Sequence, residues 1–179
     1  MPLDVLVSRW VDAPETAREA GRRLRCAKVD YLDLGLRSPA LQGAHWVYLP
    51  DPDLSIYRMG CYTNARPAMA PPGCSSLYVE LRNDRPVDTD EALDDALAVL
   101  SAMGPAVGRS DVAVCDRRSI PHAYVIYDHD YPAAREATYG ALAARGVIST
   151  GRYGKWVYAS MEDALLDGQA AARALEETR

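Results

Sequence analysis

Residues 45–81 read HWVYLPDPDLSIYRMGCYTNARPAMAPPGCSSLYVEL. Three strand-like runs lie within them, His45 to Leu49, Ile56 to Tyr62 and Ser76 to Leu81. Each is rich in β-branched or aromatic residues and is bounded by Pro, Asp or Gly. No helical periodicity separates them, so the spacing predicts an antiparallel meander rather than βαβ units, which need a crossover helix between strands. A fourth run, Val29 to Leu36 (VDYLDLGL), alternates apolar and polar residues as a half-buried strand does.

Outward from this stretch, APETAREAGRRLR at residues 13–25 reads as a short helix with Pro14 in its first turn. DTDEALDDALAVLSAM at residues 88–103 is a longer helix. Its apolar residues Ala92, Leu93, Ala96, Leu97, Leu100 and Met103 recur at helical spacing, acids fill its first turn, and Gly104-Pro105 stops it. Further on, Val112 to Asp116 and His122 to Tyr127 read as strands, about Pro132 to Arg145 as a helix, Val147 to Thr150 as a short strand, and about Met161 to Glu177 as the final helix. The expected fold class is therefore α+β. It comprises a mixed, largely antiparallel sheet of about six strands with packed helices and a C-terminal helix, forming one domain over residues 1–179.

Composition bounds the function. At 179 residues with 49% hydrophobic and 25% charged side chains the chain has ordinary globular make-up, and its net charge of -5 disfavours non-specific nucleic-acid binding. No apolar run reaches the ~18 residues of a membrane span, and the start, MPLD, lacks signal-peptide character, so a cytoplasmic location is expected. Cys26, Cys61, Cys74 and Cys115 form no C-x-x-C pair, and His45, His122 and His129 have no metal-ligand spacing, so no metal is expected. G-x-S-x-G, H-E-x-x-H and G-x-x-x-x-G-K-[ST] are all missing, and no catalytic residue is assigned.

The richest segment is GRYGKWVYASMEDALLDGQAAARAL at residues 151–175. Gly151 and Gly154 bracket a turn where backbone could adopt positive φ or approach a ligand. Ser160 with Asp163 makes an S-x-x-D capping signal, and the helix it starts presents first-turn amides suited to negative charge, provided Glu162 and Asp163 point away. Met161, Ala164, Leu165, Gly168, Ala171, Ala172 and Leu175 share one helical face, and Gly168 within it suggests close packing against another backbone.

The G-R-x-G-x-x-x-Y-x-x-M pattern from Gly151 to Met161 resembles the C-terminal flavin-contacting segment of the FAD-dependent amine oxidoreductase superfamily, in particular UDP-galactopyranose mutases and protoporphyrinogen-oxidase-like proteins. The stretch at residues 45–80 is similar to that superfamily's substrate-domain strands, as are PHAYVIYD at 121–128 and the opening MPLDVLVSRWVDAPETAREAGRRLR, so the likeness covers nearly the whole chain. The resemblance implies a cofactor-facing set of Gly151, Arg152, Tyr158, Ser160 and Met161 and a substrate-facing set of Arg58, Tyr124 and Tyr127. The mutases usually carry Asp before the Met, where this chain has Ser160.

FAD is the implied cofactor. The N-terminal dinucleotide-binding domain that would hold its pyrophosphate is not recognisable, because no G-x-G occurs anywhere in the 179 residues. The expectation is the C-terminal part of an FAD-dependent oxidoreductase, inactive alone, whose partner is an FAD-binding Rossmann-type domain or a separate subunit carrying one. The exposed face around Gly151, Trp156 and Met161 would meet that partner or drive homo-oligomer formation. The alternatives are a sugar-nucleotide mutase-like fragment and a non-catalytic interaction module.

Overall fold

The computed structural model describes residues 1–177. Among them, five strands form one sheet in the order β2-β3-β4-β1-β5: β1 Cys26–Leu36, β2 Trp46–Tyr48, β3 Ile56–Cys61, β4 Ser75–Leu81 and β5 Val112–Val125. The helices are α1 Leu3–Arg9, α2 Glu15–Arg23, α3 Tyr62–Ala65, α4 Thr89–Met103, α5 Tyr131–Ala143, α6 Gly151–Gly154 and α7 Met161–Glu177. The class is α+β as expected, with an antiparallel sheet one strand smaller than the sequence suggested. The chain groups into two compact units, Lys28–Ile120 and, together, Met1–Ala27 with Pro121–Arg179. The division falls inside β1 and β5.

The unit Lys28–Ile120 is the sheet with α4. On β1, Leu32, Leu34 and Leu36 are buried while Tyr31 and Asp33 face the other way. On β4, Leu77, Val79 and Leu81 are buried while Ser76 and Tyr78 alternate with them. Pairing Leu32 with Val79 and Leu34 with Leu77 puts the apolar side chains of the two strands side by side. Met59 and Cys61 of β3 join them, and Ala92, Leu93, Ala96, Leu97 and Leu100 of α4 close the core. The predicted limits of α4 hold: Asp88 caps it by accepting from the Asp90 amide at 2.8 Å.

β2, β3 and β4 form the expected meander, but β1 enters beside β4 and β5 lies outside β1. The two expected strands at 112–116 and 122–127 are one strand of 14 residues. Val147 to Thr150 is not a strand: Thr150 is extended, but among the described residues the segment pairs with no strand of the sheet.

In the other unit, Leu3, Leu24, Ala134, Leu142 and Trp156 form the core, with Leu6, Trp10, Val125, Tyr131 and Tyr139 packed around it. α1 escapes detection in the sequence because seven residues show a single i, i+4 apolar pair, Leu3 and Val7, which are its buried residues.

Candidate functional site

The unit built from both ends of the chain brings seven of the eight sequence-derived residues together. Thr150 leads into Gly151, whose φ of 76° is the left-handed turn expected of it, and no atom would lie within 4 Å of a Cβ there. GRYG itself is one turn of helix, α6, and not a loop. Gly154 does serve close approach, but to its own chain: a Cβ would sit 3.1 Å from Ser149 Oγ.

Arg152 leaves α6 pointing at two backbone carbonyls. Its guanidinium donates to Ala159 O at 3.0 Å and to Ala123 O at 2.8 Å, tying the α6–α7 connection to the end of β5. The same group lies over the Tyr158 ring at 4.7 Å and the Tyr124 ring at 5.3 Å. Those two rings stack at 6.1 Å with 19° between their planes. The arrangement is a cation against a paired aromatic face, which adds stacking and cation–π attraction to the hydrogen bonds. Tyr153, for which the sequence carries no signal of a site role, also lies 5.9 Å from this guanidinium.

Tyr127 closes the other side. Its hydroxyl accepts the Tyr158 amide at 2.6 Å, and its ring meets Tyr131 edge to face at 4.7 Å. The strand-end tyrosines thus hold the extended residues before α7 in place.

The start of α7 carries the predicted cap. Ser160 Oγ accepts the Asp163 amide at 3.1 Å, and the Asp163 carboxylate accepts the Ser160 amide at 2.7 Å and its hydroxyl at 2.8 Å. These bonds, the backbone amide first, hold the Asp163 carboxyl below the ordinary carboxylate range. Asp163 therefore turns toward the helix start and brings its own negative charge there, so the condition on which that start would suit an anion, Asp163 pointing away, is not met. The first-turn amides of Met161 and Glu162 remain, since an α-helix supplies no intrahelical acceptor at those positions.

Two further sequence expectations fail here. Trp156 is not part of an exposed face: it is 1% exposed and is the largest side chain in its core. Its φ of 53° reverses the chain, and Tyr131 holds that reversal by donating to Trp156 O at 2.9 Å, so the indole swings inward, edge-on to His122. Gly168 does not pack against another backbone; outside its own helix backbone and chain neighbours nothing lies within 4 Å of where its Cβ would be. The apolar face of α7 is open instead, with Met161 87% and Leu165 76% exposed and no residue of the helix buried. Polar contacts anchor it: the cap at Ser160 and the ion pair of Lys155 with Asp167.

Arg58 belongs to the sheet unit. A bulge in β3, with Ile56 opposite Leu81 but Arg58 opposite Glu80, inserts Tyr57 as an extra residue. As a result both Tyr57 Oη and the Arg58 guanidinium reach the Glu80 carboxylate, which is 7% exposed. Tyr48 and Tyr78 flank the guanidinium at 5.6 and 5.9 Å, and the Tyr78 ring lies over Gly60, where a Cβ would be 2.4 Å away. Tyr57, Tyr48 and Tyr78 carry no sequence signal of this role, since the bulge that gathers them leaves no mark on the apolar pattern. Among the described residues no cluster could hold a metal ion, and no helix is long and apolar enough to cross a membrane.

No family model matches the chain, and no curated protein does. Solved structures do share its fold. A reduced UDP-galactopyranose mutase superposes with a TM-score of 0.73 at 19% identity, over 88% of this chain and 35% of its own length. A candidate protoporphyrinogen oxidase from Exiguobacterium sp. 255-15 superposes with a TM-score of 0.65 at 10% identity, over 100% of this chain and 40% of its own. The chain therefore spans well under half of the structures it resembles, and at these identities the likeness is one of fold.

Proposed function

We propose that the chain supplies the substrate-binding sheet and one wall of the flavin site of an FAD-dependent oxidoreductase, completed by a partner carrying the dinucleotide-binding domain. The carrying observation is the α7 start: Gly151, Arg152, Tyr158, Ser160 and Met161 gather there with Tyr124 and Tyr127, beside a helix whose apolar face is left open.

The residues fit one edge of a neutral flavin, with Asp163 at the helix start opposing negative charge there. Met161 and Glu162 present first-turn amides, Gly151 leaves space above its Cα, and Met161 and Tyr158 offer apolar contact. They do not fit the pyrophosphate, since Asp163 stands at the helix start where a phosphate would be repelled. FAD, when bound, supplies the two-electron chemistry. Arg152 and the tyrosines orient the wall, and the partner domain covers Met161 and Leu165. On this reading the chain alone turns over no substrate.

Titrating FAD against the purified chain tests this through flavin fluorescence. Weak, sub-stoichiometric quenching by stacked tyrosine is expected, reduced by Tyr158→Ala and by Met161→Glu. Stoichiometric tight binding would refute the need for a partner, and quenching untouched by both variants would refute the wall.

A mutase-like activity is the second reading, favoured by the higher TM-score of the mutase superposition. It expects a UDP-sugar to protect Tyr124 and Arg152 from chemical modification, and free uridine diphosphate to compete.

A further inference from the structure

The last strand of the sheet has an open outer edge. β5 ends the order β2-β3-β4-β1-β5, and every residue from Ala113 to Ile120 is exposed. Large apolar side chains stand out of it, with Val114 54% and Ile120 39% exposed. An exposed edge of this length is a template for another strand. Pro121 has no N–H to donate and limits the pairable stretch to residues 113–120.

What distinguishes this edge is its near-palindrome, Val114-Cys115-Asp116-Arg117-Arg118-Ser119-Ile120, centred on Arg117. Val114, Asp116, Arg118 and Ile120 share one face by strand alternation. Consistent with this, Val114 lies against Gly35, and Arg118 pairs with Asp33 at 3.0 Å and with Asp116 at 2.9 Å. Arg117 turns the opposite way, donating to Val87 O at 2.7 Å and facing Asp30 at 3.6 Å.

We propose that β5 pairs antiparallel with β5 of a second copy of this chain, about a twofold axis at Arg117, to make one continuous sheet. A twofold axis perpendicular to the sheet keeps each residue on its own face, so residue i can meet only residues of the same parity and the axis must pass through a residue. With the axis at Arg117, Asp116 meets the partner's Arg118 and Val114 meets the partner's Ile120. One step to either side still sets one like-charged pair on the axis, Asp116 against Asp116 or Arg118 against Arg118, and loses both Asp116–Arg118 pairs. The two central Arg117 side chains meet across the axis but are held back on their own chains by Val87 O and Asp30. The charges that normally protect an edge here select a single register. The proposal is independent of the flavin reading, because it concerns the edge strand alone.

The register also sets Cys115 opposite the partner's Ser119. Directly opposed Cα atoms in an antiparallel pair lie about 4.5–5.5 Å apart, within disulfide reach. Cys115 and the partner's Cys115 would be four residues out of register, roughly 13 Å, as would positions 115 and 119 within one chain. The test is sedimentation of the wild-type chain together with oxidation of Ser119→Cys. Expected are a wild-type dimer and a disulfide-linked S119C dimer on a non-reducing gel. Little linkage should appear in wild type or in Cys115→Ser/Ser119→Cys. Arg118→Asp should weaken the dimer at least tenfold, and Asp116→Arg/Arg118→Asp should restore it. A monomer at the highest soluble concentration, or S119C linking no better than C115S/S119C, would overturn the pairing.

Discussion

Replacing Arg152 by Ala separates two readings of one residue. If Arg152 serves a ligand alone, its removal leaves the apo chain as stable as before. The structure assigns it a scaffold role, through Ala159 O, Ala123 O and the stacked Tyr124 and Tyr158. A charged donor to a carbonyl contributes about 1.5–3 kcal/mol when desolvated. This side chain is half-buried, so about 1 kcal/mol for each of the two bonds is the better figure. The ring contacts add about 0.5–1 kcal/mol. Arg152→Ala should therefore cost about 2–3 kcal/mol, a fall in Tm of roughly 10–20 °C for a unit of this size. Arg152→Lys should recover part of that, because an ammonium is a single point and cannot fork between two carbonyls. Urea unfolding in a Trp46→Phe background reads the effect through Trp10 and Trp156, which both lie in the affected unit. A change below about 0.5 kcal/mol, the usual size for an inconsequential surface substitution, would refute the clamp.

Trp156→Ala should lower stability by about 3–5 kcal/mol by opening a cavity among Leu3, Leu24, Ala134 and Leu142, read by thermal unfolding; a loss under 1 kcal/mol would mean that the indole is not buried. Glu80→Ala should cost about 3–5 kcal/mol by stripping Arg58 and Tyr57 of their shared carboxylate, whereas Tyr57→Phe should cost about 1 kcal/mol, both from urea midpoints. Ser160→Ala should destabilise the start of α7 by about 1 kcal/mol, seen as lost helical ellipticity. Asp163 is held below its ordinary value of 3.8, so the stabilisation it gives is present above that pH and disappears as pH falls through its lower folded value. Helix content in α7 should accordingly decline on acidification below about pH 4, and Asp163→Asn should remove that component of the acid response.

How far the sequence reached follows from what each element is buried against. α4 and strands β1 to β4 were legible because their apolar faces meet one another, so a residue's period also states its direction. The sequence of β5 reads as two strands because both of its faces are exposed from Ala113 to Ile120, and a strand that buries nothing writes no alternation. The Ser160–Asp163 cap is local chemistry between residues three apart, and it was legible in full. Trp156 was not, since its inward swing depends on a left-handed φ in a non-glycine residue, held from 25 positions away by Tyr131.

α7 is the instructive case. Its sequence has the stripe of a helix that packs, and Gly168 sits within that stripe as though a backbone were to approach it. In the structure Met161, Leu165 and Leu175 face solvent, and the helix is held by a cap and an ion pair. Periodicity states that a face is built to be covered without stating by which chain. The same stripe would be written by a helix docked on its own sheet and by one covered by another chain, and the 17 residues of α7, none of them buried, do not satisfy the first description. Glutamate at Leu165 distinguishes them physically. On a helix already packed it would bury a charge and cost several kcal/mol. On α7 it should leave the melting temperature of the chain unchanged and, on the function proposed above, abolish association with a flavin-domain partner.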